Sequence, residues 1–95
     1  MFGNGWKLMA SYKIAFKTSA EKDLRKLPKL VIASILTAID DLTINPYPTG
    51  IKKLKGLERP YFRLRVGNYR VIYEVHNQEL IVHIIEIGHR KEIYK

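Results

Sequence analysis

The chain contains no cysteine, and none of its hydrophobic runs has the length of a membrane span. Without cysteine, disulfides, thiolate metal ligands and thiol nucleophiles are all excluded. No stretch approaches the roughly 18 apolar residues of a transmembrane helix, and residues 1–9 lack the apolar core of a signal peptide. A cysteine-free sequence also suits a reducing compartment. We therefore expect a soluble, cytoplasmic protein.

Acidic residues are scarce. The sequence has 9 Asp and Glu against 17 Lys and Arg, for a net charge of +8. Such an excess favours a polyanionic partner through phosphate contacts and counterion release. A generally basic surface without a specific partner is the alternative, but the charge is concentrated in residues 51–70. Against the single acid Glu58, this segment carries Lys52, Lys53, Lys55, Arg59, Arg63, Arg65 and Arg70.

The length of 95 residues and the 46% hydrophobic content predict a single globular domain. We expect residues 10–95 to form this domain and residues 1–9 to be a disordered or extended segment, because they carry two glycines and no periodic pattern. A domain of this size buries about two-thirds of its unfolded surface. Any chemistry is therefore expected in a surface groove.

The first half of the chain predicts one strand followed by two helices. Apolar and polar residues alternate over residues 12–17, as in a strand with one buried face. Thr18 and Glu21 have the spacing of a capping box at the start of the first helix. Pro28 ends that helix and suits the first turn of the second. The second helix carries an apolar stripe of Val31, Ile35, Ile39 and Leu42.

The second half predicts an antiparallel meander. After a loop rich in proline and glycine, residues 51–55 predict a short edge strand. Gly67-Asn68 and residues 76–79 have the composition of tight turns, and Gly88 is expected to break the last strand. The three strands are predicted at residues 62–66, 69–75 and 80–87. The order β-α-α-β-β-β predicts an α+β fold, with a small twisted, mainly antiparallel sheet and two N-terminal helices packed on one face.

Three arginines are predicted to share the open face of this sheet. Arg63 and Arg65 alternate with the apolar residues of their strand, and Arg70 can reach the same face across the Gly67-Asn68 turn. Guanidinium groups on neighbouring strands can bind phosphate in bidentate geometry. The alternative is three solvated surface arginines, although clustering like charges is costly unless an anion is bound.

Several other kinds of chemistry find no support in the sequence. There is no glycine-rich phosphate loop and no GxSxG motif. His76 is expected in a turn, exposed to solvent, and His83 is expected to have a structural role in the middle of a strand. The histidines lack the sequence spacing of a metal site, and no carboxylate cluster suits magnesium. We therefore expect a reaction that needs neither a metal nor a cofactor.

Residues 52–56, 61–74 and 87–94 closely resemble the RelE branch of the RelE/ParE toxin superfamily, and residues 20–28 resemble that family's first helix. The likeness extends over residues 12–95. It implies a small antiparallel sheet with two N-terminal helices. It also implies a type II toxin that enters the ribosomal A site and cleaves messenger RNA there. The expected partners are the ribosome with its message and an acidic antitoxin.

The resemblance implies a site as well. In such toxins the 2′-hydroxyl of the message attacks the adjacent phosphate, leaving a 2′,3′-cyclic phosphate and a 5′-hydroxyl. The lysines Lys52, Lys53 and Lys55 are candidates for binding RNA phosphates. The positions that match the family's catalytic residues are Arg63, Arg65, Arg70, Arg90 and Tyr94.

The arginines at positions 63 and 65 depart from the family pattern. The best-known members have lysines there, one of which is assigned as general base, whereas an arginine side chain stays protonated in proteins. As a hypothesis, the arginines stabilise charge on the transferring phosphoryl group while Tyr94 or His89 moves the proton. Histidine is suited to this role because it can exchange a proton near neutral pH.

Two other functions stay open at this point. The ParE branch shares the fold but poisons DNA gyrase without cleaving RNA, and it generally lacks the full set of arginines and tyrosine. A catalytically degenerate toxin that only binds its antitoxin is the other possibility, because a charged surface without a clear base also describes an RNA-binding module.

Overall fold

The computed structural model describes residues 11–54 and 60–89. These residues form two helices and five strands, in the order strand, two helices, four strands. Neither helix is long and apolar enough to cross a membrane. The elements are β1 (Lys13–Phe16), α1 (Thr18–Arg25), α2 (Lys29–Asp41), β2 (Lys52–Leu54), β3 (Tyr61–Val66), β4 (Tyr69–His76) and β5 (Ile81–His89).

The five strands form one sheet in the order β1-β5-β4-β3-β2. Strand β1 runs parallel to β5, whereas every other neighbouring pair is antiparallel. Strands β1 and β2 are therefore the two edge strands of the sheet, and both helices come between them along the chain. Strand β4 lies at the centre of the sheet. The predicted α+β fold with a mainly antiparallel sheet is confirmed, as is the short edge strand within residues 51–55.

The helices cover one face of the sheet. Ile35, Ile39 and Leu42 of the predicted stripe are fully or almost fully buried, and Val31 packs partly buried against the same cluster. Full burial of an aliphatic side chain contributes about 1.5–3 kcal/mol. The sheet side of this core is made by Val71, Tyr73, Val82, Ile84 and Ile87.

The helix starts differ from the sequence-based prediction. Helix α1 already includes Thr18, and its N-cap is Lys17, with no side-chain capping bond there among the described residues. The amide of Glu21 donates to the Lys17 carbonyl oxygen at 3.0 Å instead. The predicted capping box is therefore wrong, because Thr18 lies one residue too late to cap the helix. Pro28 is likewise the N-cap of α2 and not part of its first turn.

Two strand ends also differ from the prediction. Strand β4 continues through His76, so the turn comprises residues 77–80. Strand β5 continues past Gly88 to His89, because Gly88 pairs with Arg70 and extends the ladder. A register shift between Ile72 and Tyr73 leaves one extra residue in β5 and keeps the alternation of faces on both sides of it.

Candidate functional site

The face of the sheet turned away from the helices, here called the outer face, brings four basic residues together. Arg65 lies directly across from Arg70, and Arg63 lies directly across from Lys52 on the opposite neighbour. The four side chains project from three consecutive strands on one face of the sheet. Adjacent strands are about 4.8 Å apart, so the four side chains begin close to one another. Like charges directly across from each other repel. An anion bound between these side chains would offset that repulsion.

The three arginines differ in accessibility. Arg65 is exposed and Arg63 is half-buried, whereas Arg70 is only 1% exposed. One guanidinium nitrogen of Arg70, Nη1, donates to the Tyr69 carbonyl oxygen at 3.3 Å. The three arginines therefore share one face but are not equally exposed. Arg70 lies beneath that surface, where its charge is screened less than that of an exposed side chain.

Two predicted site residues lie on the other face. Lys53 lies across from Phe62, which packs against the core, so Lys53 belongs to the face that carries the helices. His89 lies across from Tyr69, and the two rings contact edge to face with centroids 5.5 Å apart. Tyr69 also packs against the core. Strand alternation thus separates Lys53 and His89 from the arginines, which the grouping by sequence did not show.

Three further predicted residues, Lys55, Arg90 and Tyr94, lie outside the described residues, and their contribution to the site stays a prediction. Among the residues that the structure describes, the accessible cations of the predicted site on the outer face are Lys52, Arg63 and Arg65. Guanidinium and ammonium groups at this separation can contact one phosphodiester together.

A second polar cluster on the outer face was missed by sequence reasoning. It consists of Glu74, His76 and His83, which we call the His-Glu-His cluster. Oε1 of Glu74 is 3.0 Å from Nε2 of His76 and 3.4 Å from Nδ1 of His83. His76 therefore belongs to a strand, and its predicted place in a turn is wrong. The spacing of the histidines along the sequence did not show that His76 and His83 both approach Glu74. Alternation alone could have put Glu74 and His76 on one face.

Comparison with known proteins identifies the family. Residues 14–94 match the family described as "ParE toxin of type II toxin-antitoxin system, parDE". Toxin RelG of Mycobacterium tuberculosis is 34% identical over 85 residues, which cover 88% of this chain and 97% of the relative. The chain belongs to the RelE branch of the RelE/ParE toxin superfamily.

Two further relatives of this RelE-type toxin bear on its function. The mRNA interferase toxin RelE of Escherichia coli K12 is 29% identical over 88% of this chain and 90% of its own length. The archaeal RelE–RelB complex of Pyrococcus horikoshii superposes with a TM-score of 0.74 at 30% identity, covering 84% of this chain and 96% of that one. The toxin thus shares the fold of the Pyrococcus horikoshii chain over nearly the full length of that chain.

The helical side of the toxin carries apolar grooves. Leu30 and Leu36 of α2 are 84% and 43% exposed. Leu36 lines a groove of about 430 Å³ with Ile14 and Phe16, and Leu30 lines a second of about 460 Å³ beside the Gly67-Asn68 turn. Both grooves are thus lined in part by apolar side chains that solvent can reach.

Tyr73 links the core to the loop that follows α2. Its hydroxyl donates to the Pro46 carbonyl oxygen at 2.7 Å. Burial raises the pKa of the Tyr73 phenol well above its ordinary value of 10.0, and the neighbouring Tyr47 adds to this effect. Tyr73 is therefore a neutral hydrogen-bond donor at physiological pH, and its role is to hold the loop.

Proposed function

We propose that this toxin is a ribosome-dependent endoribonuclease that cleaves messenger RNA in the A site and so inhibits translation in the cytoplasm. The observation that carries the proposal is the juxtaposition of Lys52, Arg63, Arg65 and Arg70 on one face of three adjacent strands. The name of the Escherichia coli relative, an mRNA interferase, supports the same chemistry. The net charge of +8 suits a substrate embedded in ribosomal RNA.

The chemistry requires two proton transfers and charge stabilisation. The 2′-oxygen forms a bond to the adjacent phosphorus as its proton leaves, and the bond from phosphorus to the 5′-oxygen breaks as that oxygen gains a proton. Arg63 and Arg65 are proposed to stabilise the negative charge on the phosphoryl oxygens, with Arg90 in the same role from the resemblance. Arg70, which is buried on the same face, adds its positive charge to theirs. No metal ion is needed for this scheme.

The proton carrier is proposed to be Tyr94 or His89. His89 lies on the face that carries the helices, across from Tyr69. To transfer a proton to RNA on the outer face, its side chain would have to reach past the end of β5. This position favours Tyr94. If Tyr94→Phe and His89→Ala both cleave at the wild-type rate, neither residue moves the proton.

An acidic antitoxin is proposed as the partner protein. The Pyrococcus horikoshii relative is a complex of RelE with RelB, which supports a partner of this class. The basic outer face would attract acidic residues of the antitoxin, and the apolar grooves around Leu30 and Leu36 would receive its hydrophobic side chains. Cleavage by a purified complex of the two proteins would contradict a neutralising role for this partner.

The test is primer extension on a message programmed on purified ribosomes. We expect discrete cuts within A-site codons for wild-type toxin and at least a roughly 100-fold slower reaction for the Arg63→Ala/Arg65→Ala variant, as for loss of preorganised charge stabilisation. The matched control is Lys22→Ala/Lys29→Ala, which removes the same charge from exposed positions of the helices. Reactions without ribosomes should leave the message uncut.

Uncut message with folded toxin in excess would reject the proposal. Gyrase inhibition is then the function to test, because the matching family is described as ParE toxin. Equal loss of cleavage in the arginine variant and in the lysine control would show that net charge, and not the outer face, determines activity.

A further inference from the structure

The His-Glu-His cluster extends from the middle of the outer face to the end of that face remote from Arg70. Arg70 is the second residue of β4 and His76 the last. Six steps along the extended strand, from Arg70 to His76, span about 20 Å. The two histidines therefore lie away from Arg70, whereas Glu74 comes two residues after Ile72, which lies directly across from Arg63. The function proposed above assigns the cluster no role.

The cluster combines ligand types that bind transition metals. It offers two imidazole nitrogens and one carboxylate oxygen, and these three atoms all lie within 4.8 Å of one another. In a tetrahedral zinc site with bonds of about 2.0–2.2 Å, neighbouring ligand atoms are about 3.3–3.6 Å apart. The distances from Glu74 Oε1 to the two histidine nitrogens, 3.0 and 3.4 Å, are close to this spacing.

The fold holds the three side chains in place. Glu74 and His83 lie directly across from each other on β4 and β5, and His76 follows Glu74 on the same face. Two hydrogen bonds hold the turn after His76 against the start of β1. The Tyr12 hydroxyl donates to Asn77 Oδ1 at 2.7 Å, and the amide of Lys13 donates to the Leu80 carbonyl oxygen at 2.8 Å. Ligands on two paired strands are thus preorganised before an ion binds.

The three side chains of the cluster differ in their exposure to solvent. The Glu74 side chain is 9% exposed, whereas those of His76 and His83 are each 33% exposed. Both imidazoles line a groove of about 290 Å³ that also contains Glu79. An ion could enter from this groove and keep an open coordination position toward it, to be filled by water or by the Glu79 carboxylate.

We propose that Glu74, His76 and His83 form a binding site for one divalent transition-metal ion of the zinc class. Two imidazoles and one carboxylate suit this class better than magnesium or calcium, which prefer sets of oxygen ligands. Nε2 of His76 and Nδ1 of His83 are the ligating nitrogens. The ion joins the two strands of the β4–β5 hairpin near its turn and stabilises that end of the sheet.

The experiment uses the full-length toxin, without a histidine tag and dialysed against a chelator. Titration with Zn²⁺ in a calorimeter should show saturable binding of one ion per chain, and Co²⁺ should give the visible absorption of a site with mixed nitrogen and oxygen ligands. Bound Zn²⁺ should also raise the melting temperature by several degrees, because an ion that binds only the folded state stabilises it. Histidine ring ¹⁵N shifts should identify the two ligating nitrogens.

The variants are His76→Ala and His83→Ala, with His89→Ala as the matched control. The chain has three histidines, and His89 lies on the other face of the sheet. Loss of a direct ligand should weaken Zn²⁺ binding by more than the roughly 10–100-fold that loss of an outer-shell partner costs, whereas His89→Ala should keep the wild-type affinity. Circular dichroism and the metal-free melting temperature check the fold of each variant.

Absence of saturable Zn²⁺ and Co²⁺ binding would overturn the proposal and leave a hydrogen-bonded His-Glu-His cluster without an ion. Wild-type affinity in both His76→Ala and His83→Ala would overturn it as well. None of these readouts depends on RNA cleavage, so the metal site and the proposed nuclease function can fail independently.

Discussion

Individual residues of the outer face have different tasks although they carry the same charge. Arg65 is exposed and available to an anion, while Arg70 across from it is buried and hydrogen-bonded to the Tyr69 carbonyl oxygen. A buried charged group is tolerated only where its surroundings satisfy it, so its removal disturbs the fold as well as the surface. Arg65 can be removed with little effect on folding.

We therefore predict stability effects of very different size for the two arginines. Arg70→Ala should lower the free energy of unfolding by about 2–4 kcal/mol, because it leaves a cavity and removes the group that donates to the Tyr69 carbonyl oxygen. Arg65→Ala should change it by no more than about 0.5 kcal/mol. Urea denaturation followed by circular dichroism measures both values. Equal values for the two variants would contradict the buried position of Arg70.

Tyr73 predicts a pH dependence of stability. Its pKa is raised on folding, chiefly by burial, so above the ordinary value of 10.0 the folded state keeps a proton that the unfolded chain releases. This contribution is fully present below pH 10 and is lost as the pH rises above that value. In Tyr73→Phe the unfolding free energy should fall less steeply between pH 10 and 11 than in the wild type.

The same variant tests the hydrogen bond at neutral pH. Tyr73→Phe leaves the Pro46 carbonyl oxygen without the hydroxyl that donates to it at 2.7 Å. We expect a loss of about 1–2 kcal/mol at pH 7, measured by denaturation under otherwise identical conditions. A loss at pH 7 with an unchanged slope above pH 10 would assign the alkaline destabilisation to other groups.

At the scale of elements, the β3–β4 hairpin aligns the arginines. Its two-residue turn brings Arg65 directly across from Arg70, and Gly67 in this turn has a φ of 59°. Residues with a side chain adopt this left-handed region at a cost, whereas glycine does so freely. A Cβ atom built at Gly67 would meet nothing within 4 Å, so the cost lies in the backbone alone.

Gly67→Ala should therefore destabilise the toxin by about 1 kcal/mol, and Gly67→Asn, the matched control, by clearly less, because asparagine tolerates positive φ. Thermal unfolding monitored by circular dichroism distinguishes the two. Alanine and asparagine variants of equal stability would indicate that the turn changes its conformation on substitution.

At the scale of the whole molecule, the excess of positive charge is shared by both faces but only one is proposed to meet RNA. The adjacent residues Lys52 and Lys53 separate these contributions, because both are exposed and they lie on opposite faces of β2. Long-range attraction to the ribosome depends on the net charge of the toxin, so removal of either lysine should weaken it equally. Direct phosphate contact distinguishes them.

We predict that binding of the toxin to programmed ribosomes weakens linearly with salt on logarithmic axes. Lys52→Ala should reduce the magnitude of the slope by about 0.7–0.9, the value for one lost phosphate contact, whereas Lys53→Ala should leave it close to the wild type. Binding measured by filtration at several salt concentrations gives both slopes. A larger reduction for Lys53→Ala would reverse the assignment of the two faces.

The sequence by itself determined the element order, the apolar stripe of α2 and the shared face of Arg63 and Arg65. These features follow from periods of 3.6 and 2 residues, which are local and readable along the chain. Helix starts and strand ends were less predictable: a shift of one residue made Thr18 part of α1, and pairing with Arg70 carried β5 past Gly88.

Only the tertiary structure decided which charges are buried and which distant residues meet. The burial of Arg70, the separation of His89 from the arginines and the approach of His83 to Glu74 all depend on strand register and on packing of the complete sheet. Strand register and packing cannot be read from the spacing of residues along the sequence. Residues 74 and 83, for example, become neighbours only when the hairpin of β4 and β5 forms in this register.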